Sequence, residues 1–245
     1  MRSPRFFFTL LFCFAAFAPL RQGDAQDINA AIQARAAKAG DGIKSWYAAR
    51  NYAPVWDGER LGGLARFIQS IDAHGLSPQL FQLSTWDAQW RNPSPDPAKR
   101  AEVEVGTTQL ALYAIQSLAY GFVNPRDVHP KWAEIPRHVT AYQFLDQALQ
   151  KPPTQFSNHL LQVVPPQDTR YKEMVKTLAR YRELNRLGGW RELPATSPPA
   201  GPVTKYPELK LLTSRLQAEG DLPGGAARSR KGEIDKRTGE AIKSF

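Results

Sequence analysis

Residues 99–120, KRAEVEVGTTQLALYAIQSLAY, carry an uninterrupted helical repeat. Its apolar side chains recur three or seven residues apart, which places them on one face of an α-helix. These side chains are Val105, Leu112, Ile115 and Leu118. Gly121 follows directly, and glycine is common where a helix ends. The stretch therefore predicts a long helix whose apolar face packs against other helices.

Shorter stretches on both sides show the same period and little of the alternation that is typical of β-strands. The further predicted helices span residues 43–50, 61–74, 142–149, 158–163, 171–187, 206–219 and 238–245. The first of them is expected to end at residues 51–54, NYAP, because proline interrupts helices. In the helix at 171–187, the expected buried side consists of Met174, Leu178, Tyr181 and Leu184.

The predicted fold class is all-α, with a multi-helix domain followed by a small helical module. We predict a signal peptide at 1–25, the helical domain at 26–190, a proline-rich linker at 191–206 and the module at 207–245. The helical pattern of the module stops at Phe245 before it is complete. About 40 residues give a marginal core, so we expect the chain after Asp221 to be loosely packed.

The N-terminus has the features of a secretory signal peptide. Arg2 and Arg5 precede an apolar run at 6–20, and small residues at Gly23 and Ala25 suit cleavage after Ala25. The run is about 15 residues long, short of the roughly 20 that span a bilayer, although a retained anchor is the alternative. No later stretch is long and apolar enough to span a membrane. We predict an exported protein without a transmembrane segment after cleavage.

The formal charge of +9 favours anionic partners through long-range attraction. The leader directs the chain away from nucleic acid, which we therefore exclude as a partner. Anionic cell-wall polymers and lipid headgroups remain, and a basic surface that serves only solubility is the alternative.

Residues for catalysis are sparse. The one cysteine, Cys13, lies inside the leader, so the cleaved protein would have neither a thiol nor a disulfide. Glu102 and Glu104 are two positions apart and would point to different sides of a helix, so they do not form an acid–base pair. Metal-ligand spacing is absent among the four histidines, His74, His129, His138 and His159. We predict no catalytic residue, no metal site and no cofactor.

Five segments, in their order along the chain, resemble the large periplasmic L,D-transpeptidases that carry a helical scaffold domain. They are WYAARNYAPVW at 46–56, IDAHGLSP at 71–78, LAYGFVNP at 118–125 with Trp132 after it, LARYREL at 178–184 with GGW at 188–190, and LLTSRLQAEGDL at 211–222. The last of these is similar to the opening of a peptidoglycan-binding repeat.

The resemblance implies a helical scaffold, then a peptidoglycan-binding module, then a domain whose cysteine forms 3→3 crosslinks in peptidoglycan. It also implies a location in the periplasm, with peptidoglycan or cell-wall enzymes as partners. This sequence matches the scaffold and the first part of the module, and it lacks the Ser/Thr-x-Gly-Cys signature of the catalytic domain.

Aromatic and basic residues in these segments are the candidate binding residues. They are Trp46, Tyr47, Arg50, Tyr52, Trp56, Tyr181, Arg182 and Trp190. Tryptophan and tyrosine stack on sugars, and they also fill cores, so core packing is the competing role for these residues.

The leading hypothesis is a non-catalytic, periplasmic, peptidoglycan-associated scaffold protein, truncated relative to the L,D-transpeptidases. One alternative is a part of an active transpeptidase whose catalytic domain is encoded separately or lost by a frameshift. Another alternative is a helical interaction protein unrelated to the cell wall.

Overall fold

The computed structural model of this protein describes residues 22–123, 125–131, 140–193, 206–223 and 233–245. It divides into two compact units, of which the first comprises Met1–Asp72 and Leu76–Pro165 and the second comprises Ala73–Gly75 and Pro166–Phe245. All regular elements among the described residues are helical, which confirms the predicted all-α fold.

The α-helices of the first unit are α1 (Gln22–Ala37), α2 (Asp41–Ala48), α3 (Gly58–Ser70), α4 (Leu83–Arg91), α5 (Pro97–Tyr120), α6 (Pro125–Val128), α7 (Ala141–Leu149) and α8 (Phe156–Val163). The second unit contains α9 (Thr169–Arg186), α10 (Leu209–Glu219) and α11 (Lys236–Ser244). Short 3-10 turns span Ile71–His74, Pro78–Phe81 and Pro153–Gln155.

Helix α5 is the centre of the first unit. Its first turn begins at Pro97, and the side chain of Asp96 caps it by accepting a hydrogen bond from the N–H of Ala98. Gly121 ends it with a φ of 85°, which glycine adopts without strain. Helices α1, α4 and α7 pack against α5. Because these neighbours surround it, α5 is buried on more than the single face that the sequence predicts.

A second layer of the first unit is formed by α3, α7 and α8. The buried side of α3 contains Leu64, Phe67 and Ile68, and Phe156 of α8 lies directly over Gly63. A Cβ atom at Gly63 would lie 3.2 Å from the Phe156 ring, so the two helices approach closely at that point.

The second unit has a small core of its own. Side chains from α10, α11 and the loops beside them form it: Tyr206, Leu209, Leu212, Leu216, Leu222, Ile234 and Ala241. Asp235 caps α11 by accepting a hydrogen bond from the N–H of Thr238 at 2.7 Å. The expectation of loose packing after Asp221 is therefore wrong for residues 233–245, because α11 buries one face against α10.

The predicted buried side of α9 is also wrong. None of the described side chains of α9 is buried, and Met174 is 64% exposed. A helical repeat identifies which residues share a face, but it does not reveal whether another element covers that face. The compact units group α9 with the residues that follow it, whereas the predicted domain at 26–190 groups it with the residues before it.

Several sequence predictions lie outside the described residues. They concern the signal peptide as far as residue 21, the linker from 194 to 205, and Trp132. The domain boundaries at 25, 190 and 206 therefore stay predictions. Within the part of the chain that the structure describes, no helix has the length and apolar character needed to cross a membrane.

Close packing of α4 on α5 predicts that alanine destabilises the protein at Gly106 of α5, whereas alanine at Gly62 of α3 stabilises it. A Cβ atom at Gly106 would lie 2.6 Å from Cη2 of Trp86, which overpacks the interface. Gly106→Ala should therefore lower the free energy of unfolding by about 1 kcal/mol or more, after a helix-propensity gain of up to about 1 kcal/mol.

Gly62→Ala is the matched control, because its nearest neighbour is the flexible end of Arg66 at 3.4 Å. It should raise the free energy of unfolding by up to about 1 kcal/mol. Urea denaturation followed by circular dichroism measures both changes. Equal stabilisation by the two substitutions would contradict the close contact between Trp86 and Gly106.

Candidate functional site

Trp46 and Arg50 connect α2 to α7 through a single carboxylate. Trp46 Nε1 donates to Asp146 Oδ1 at 2.7 Å, and Arg50 Nη2 donates to the same oxygen. The Arg50 guanidinium lies 3.8 Å from the centroid of the Trp46 ring. Trp46 is only 7% exposed. Its indole is therefore engaged in packing, and core packing explains it better than sugar stacking.

The chain reverses after α2 through two residues in the left-handed region. Asn51 has a φ of 51° and Tyr52 has a φ of 56°, and the N–H of Tyr52 donates to the carbonyl of Tyr47 at 2.9 Å. This conformation is costly for tyrosine, so the surrounding contacts must hold it in place. Helix α2 ends at Ala48, two residues before the predicted last helical residue at 50, and the turn directs the residues that follow it along α5.

A buried polar network joins this turn to α5. The carboxylate of Glu104 accepts hydrogen bonds from Tyr47 Oη at 3.1 Å and from the N–H of Val55 at 2.7 Å. Tyr47 Oη also lies 2.7 Å from Thr108 Oγ1, which accepts a hydrogen bond from Trp56 Nε1 at 2.9 Å. Tyr47 and the N–H of Val55 therefore bind Glu104 directly, and Trp56 joins the network through Thr108.

Burial raises the pKa of Glu104 to about 7, although the hydrogen bonds from Val55 and Tyr47 oppose the change. Burial also raises the pKa of Tyr47, and the nearby Glu104 carboxylate adds to this shift. Near neutral pH, the Glu104 carboxyl is therefore poised between its two protonation states. Such a group is a candidate for function as well as for structure.

Sequence reasoning did not identify Glu104 as a site residue. It correctly separated Glu104 from Glu102, since Glu102 is exposed and Glu104 is buried. One signal was available, because Glu104 lies between Val103 and Val105 in a long helix that is rich in apolar residues. A lone carboxylate in such a position is buried and must find hydrogen-bond donors.

Trp56 lies between two cavities of the first unit. One cavity, of about 440 Å³, is bordered by Arg50, Trp56, Asp57 and Arg60. The other, of about 340 Å³, is bordered by Trp56, Trp90, Arg100 and Glu104 among others. Among the candidate binding residues at 46–56, Arg50 and Trp56 therefore line a cavity. Tyr52 is half-buried at the turn.

The second unit brings together two of the remaining candidates. The rings of Tyr181 and Trp190 meet edge to face, with centroids 5.9 Å apart. The guanidinium of Arg215 lies 3.6 Å from the centroid of the Trp190 ring and donates to Glu219, which also accepts a hydrogen bond from Tyr181. Sequence reasoning did not select Arg215 and Glu219, because contacts between separate helices have no spacing signal.

Arg182 lies on the exposed surface of α9. Among the described residues, no three His, Cys, Asp or Glu side chains lie close enough together to hold a metal ion. His74 instead lies with Nδ1 2.9 Å from the hydroxyl of Tyr171, and burial lowers its pKa.

Helices packed around a buried polar network define the first unit as an all-α structural domain. A family model described as "Scaffold domain" matches residues 41–178, more than half of the chain, so the chain belongs to the Scaffold domain family. Neither the curated proteins nor the solved structures gave a match.

The matched range begins with α2 and ends within α9. It includes the five candidate residues from Trp46 to Trp56, together with Glu104 and Asp146. Tyr181, Arg182 and Trp190 lie beyond it. The family match therefore includes the candidate residues of the first unit and leaves out those of the second unit.

The raised pKa of Glu104 predicts that the folded state is more stable at low pH than at neutral pH. The folded-state pKa of about 7 lies above the ordinary value of 4.5, so the folded state binds the proton more tightly than the unfolded state. The free energy of unfolding should therefore fall by up to about 3 kcal/mol as the pH rises between these two values. Urea denaturation over this pH range measures the change.

Glu104→Gln should remove this contribution, because the amide keeps the shape and the acceptor without the titration. Glu102→Gln is the control on the same helix, and its pH profile should match that of the wild type. A Glu104→Gln profile that runs parallel to the wild-type profile would show that Glu104 ionises normally.

Proposed function

We propose that this chain is a non-catalytic periplasmic scaffold protein that associates with peptidoglycan and is related to the L,D-transpeptidases. The observation that carries the proposal is the Scaffold domain match over residues 41–178. The order of the five family-like segments supports the relation to L,D-transpeptidases, and the N-terminal leader supports export to the periplasm.

The lack of an acyl-transfer nucleophile supports the non-catalytic role. Acyl transfer of the transpeptidase type needs a thiolate, a base that activates it and donors for the oxyanion. The sequence has one cysteine, Cys13, in the predicted leader. Glu104 has a pKa suited to a general base, but its carboxylate already accepts hydrogen bonds from Tyr47 and Val55 in the helical core.

Charge on α9 supports association with an anionic polymer. Two acidic residues, Glu173 and Glu183, accompany six basic ones on this helix: Arg170, Lys172, Lys176, Arg180, Arg182 and Arg186. All eight side chains are exposed. An exposed helix with this excess of cations attracts carboxylate-bearing polymers such as the stem peptides of peptidoglycan.

The proposal predicts that the leader-free protein sediments with purified sacculi. Retention should decrease as salt is added, since screening weakens the attraction of exposed charges, and it should persist at about 0.15 M salt. A denatured sample of the same protein is the control. Retention no greater than that of the denatured sample would refute association with peptidoglycan.

Two charge-reversal variants locate the contact. The variant R170E/K172E changes two exposed residues of α9, and the variant K44E/K99E makes the same change in net charge on α2 and α5. The α9 variant should release the protein at lower salt than the other variant. Equal effects of the two variants would show that net charge alone governs retention.

The non-catalytic half of the proposal has a separate test. The leader-free protein alone, incubated with tetrapeptide-bearing muropeptides, should form no 3→3 crosslink detectable by mass spectrometry. A crosslinked product from the purified protein would refute this half while leaving the binding result in place.

A further inference from the structure

The cavity of about 340 Å³ beside Glu104 has the composition of a ligand site. Two indole rings, those of Trp56 and Trp90, border it, together with polar groups from Gln89, Arg100 and Glu104. Its volume is at the lower end of the range for small-molecule sites, about 300–1,000 Å³. All of its lining residues belong to the first unit.

Hydrogen bonds to neighbouring threonines fix both indoles. Trp90 Nε1 donates to Thr107 Oγ1 at 2.9 Å, and Trp56 Nε1 donates to Thr108 Oγ1 at 2.9 Å. Thr107 in turn donates to the carbonyl of Val103 at 2.7 Å, so its own orientation on α5 is set. Both indoles are half-buried. The rings are therefore oriented before a ligand arrives, which lowers the entropic cost of binding.

Apolar side chains such as Ile28 and Leu61 form much of the lining, and the polar groups among them favour a ligand that can also exchange hydrogen bonds. Gln89 and Arg100 supply donors at the edge of the cavity. Glu104, a residue only 8% exposed whose carboxylate is hydrogen-bonded to Tyr47 and Val55, forms part of the cavity wall. An apolar ligand would desolvate these groups without replacing their hydrogen bonds. A phosphate would meet one lining cation, Arg100, and would also lie near the carboxyl of Glu104.

A sugar ring meets both requirements. Its C–H faces pack on aromatic rings, and its hydroxyl and amide groups exchange hydrogen bonds with charged and amide side chains. The cavity offers aromatic surface from Trp56 and Trp90 and hydrogen-bonding groups from Gln89 and Arg100 in one place.

We infer that this cavity binds one or two amino-sugar rings of a glycan chain, with Trp56 and Trp90 as the stacking surfaces. The choice of amino sugars rests on the proposed function, because the glycan of peptidoglycan consists of N-acetylated amino sugars. The inference adds a binding site within the first unit, whereas the basic helix α9 belongs to the second unit.

Calorimetry with a soluble tetramer of β-1,4-linked N-acetylglucosamine tests this inference on the full leader-free chain. Trp90→Ala should weaken binding about tenfold, the order expected when a stacking surface is lost. Trp86→Ala is the matched control, because Trp86 is also half-buried on α4 but does not border this cavity. The affinity of the control should equal that of the wild type.

Arg100→Ala and Gln89→Ala provide a second pair of variants, since both change side chains at the edge of the cavity rather than core side chains. Each should weaken binding several-fold without a change in the thermal unfolding midpoint. These two variants decide the question if circular dichroism shows that Trp90→Ala does not fold.

Three results would overturn the inference. They are no binding of the tetramer by the wild type, an equal loss in Trp86→Ala and Trp90→Ala, and equal affinity for a tetramer of unmodified glucose. Sedimentation with sacculi separates the two proposals. Retention on sacculi without tetramer binding would refute this inference and leave the proposed function in place, whereas failure of both experiments would refute both.

Discussion

The structure of the first unit depends on a carboxyl group buried inside its central helix. Glu104 lies between two valines on α5, where an unsatisfied carboxylate would be strongly unfavourable. The hydroxyl of Tyr47 and the backbone N–H of Val55 satisfy it. To deliver these donors, α2 must pack beside α5 and the chain after α2 must turn back along it. The left-handed conformation of Asn51 and Tyr52 makes this path possible.

Much of this arrangement follows from the local sequence. The period of apolar residues locates α5, and proline and asparagine locate the end of α2, because both signals act over a few residues. Two of the candidate residues at 46–56, Tyr47 and Trp56, lie in the network around Glu104, whereas Trp46 and Arg50 share the carboxylate of Asp146. The sequence does not indicate which side chains complete it, because Asp146 and Glu104 reach their partners from helices that are distant along the chain.

Whether a helix is buried cannot be predicted from the same local signals. The stripe of Met174 and Leu178 on α9 has the same spacing as the buried stripe of α3, yet Met174 is exposed. Spacing reports periodicity, whereas burial depends on which elements pack against the helix. The candidate residues divide in the same way, since Trp46 and Tyr47 form core and Trp190 packs under the guanidinium of Arg215.

The pairing of two indoles with consecutive threonines limits which side chains can replace them. Phenylalanine is also a large aromatic residue, but its side chain has no N–H that could donate to Thr107 or Thr108. The threonine hydroxyl would therefore lose a hydrogen-bond partner. Trp86 bears no such constraint in the described contacts, since its ring packs on the backbone of Gly106. If all amino acids were tested at these positions in a screen for a well-folded first unit, several apolar residues would be accepted in place of Trp86. Far fewer residue types would be accepted in place of Trp56 and Trp90.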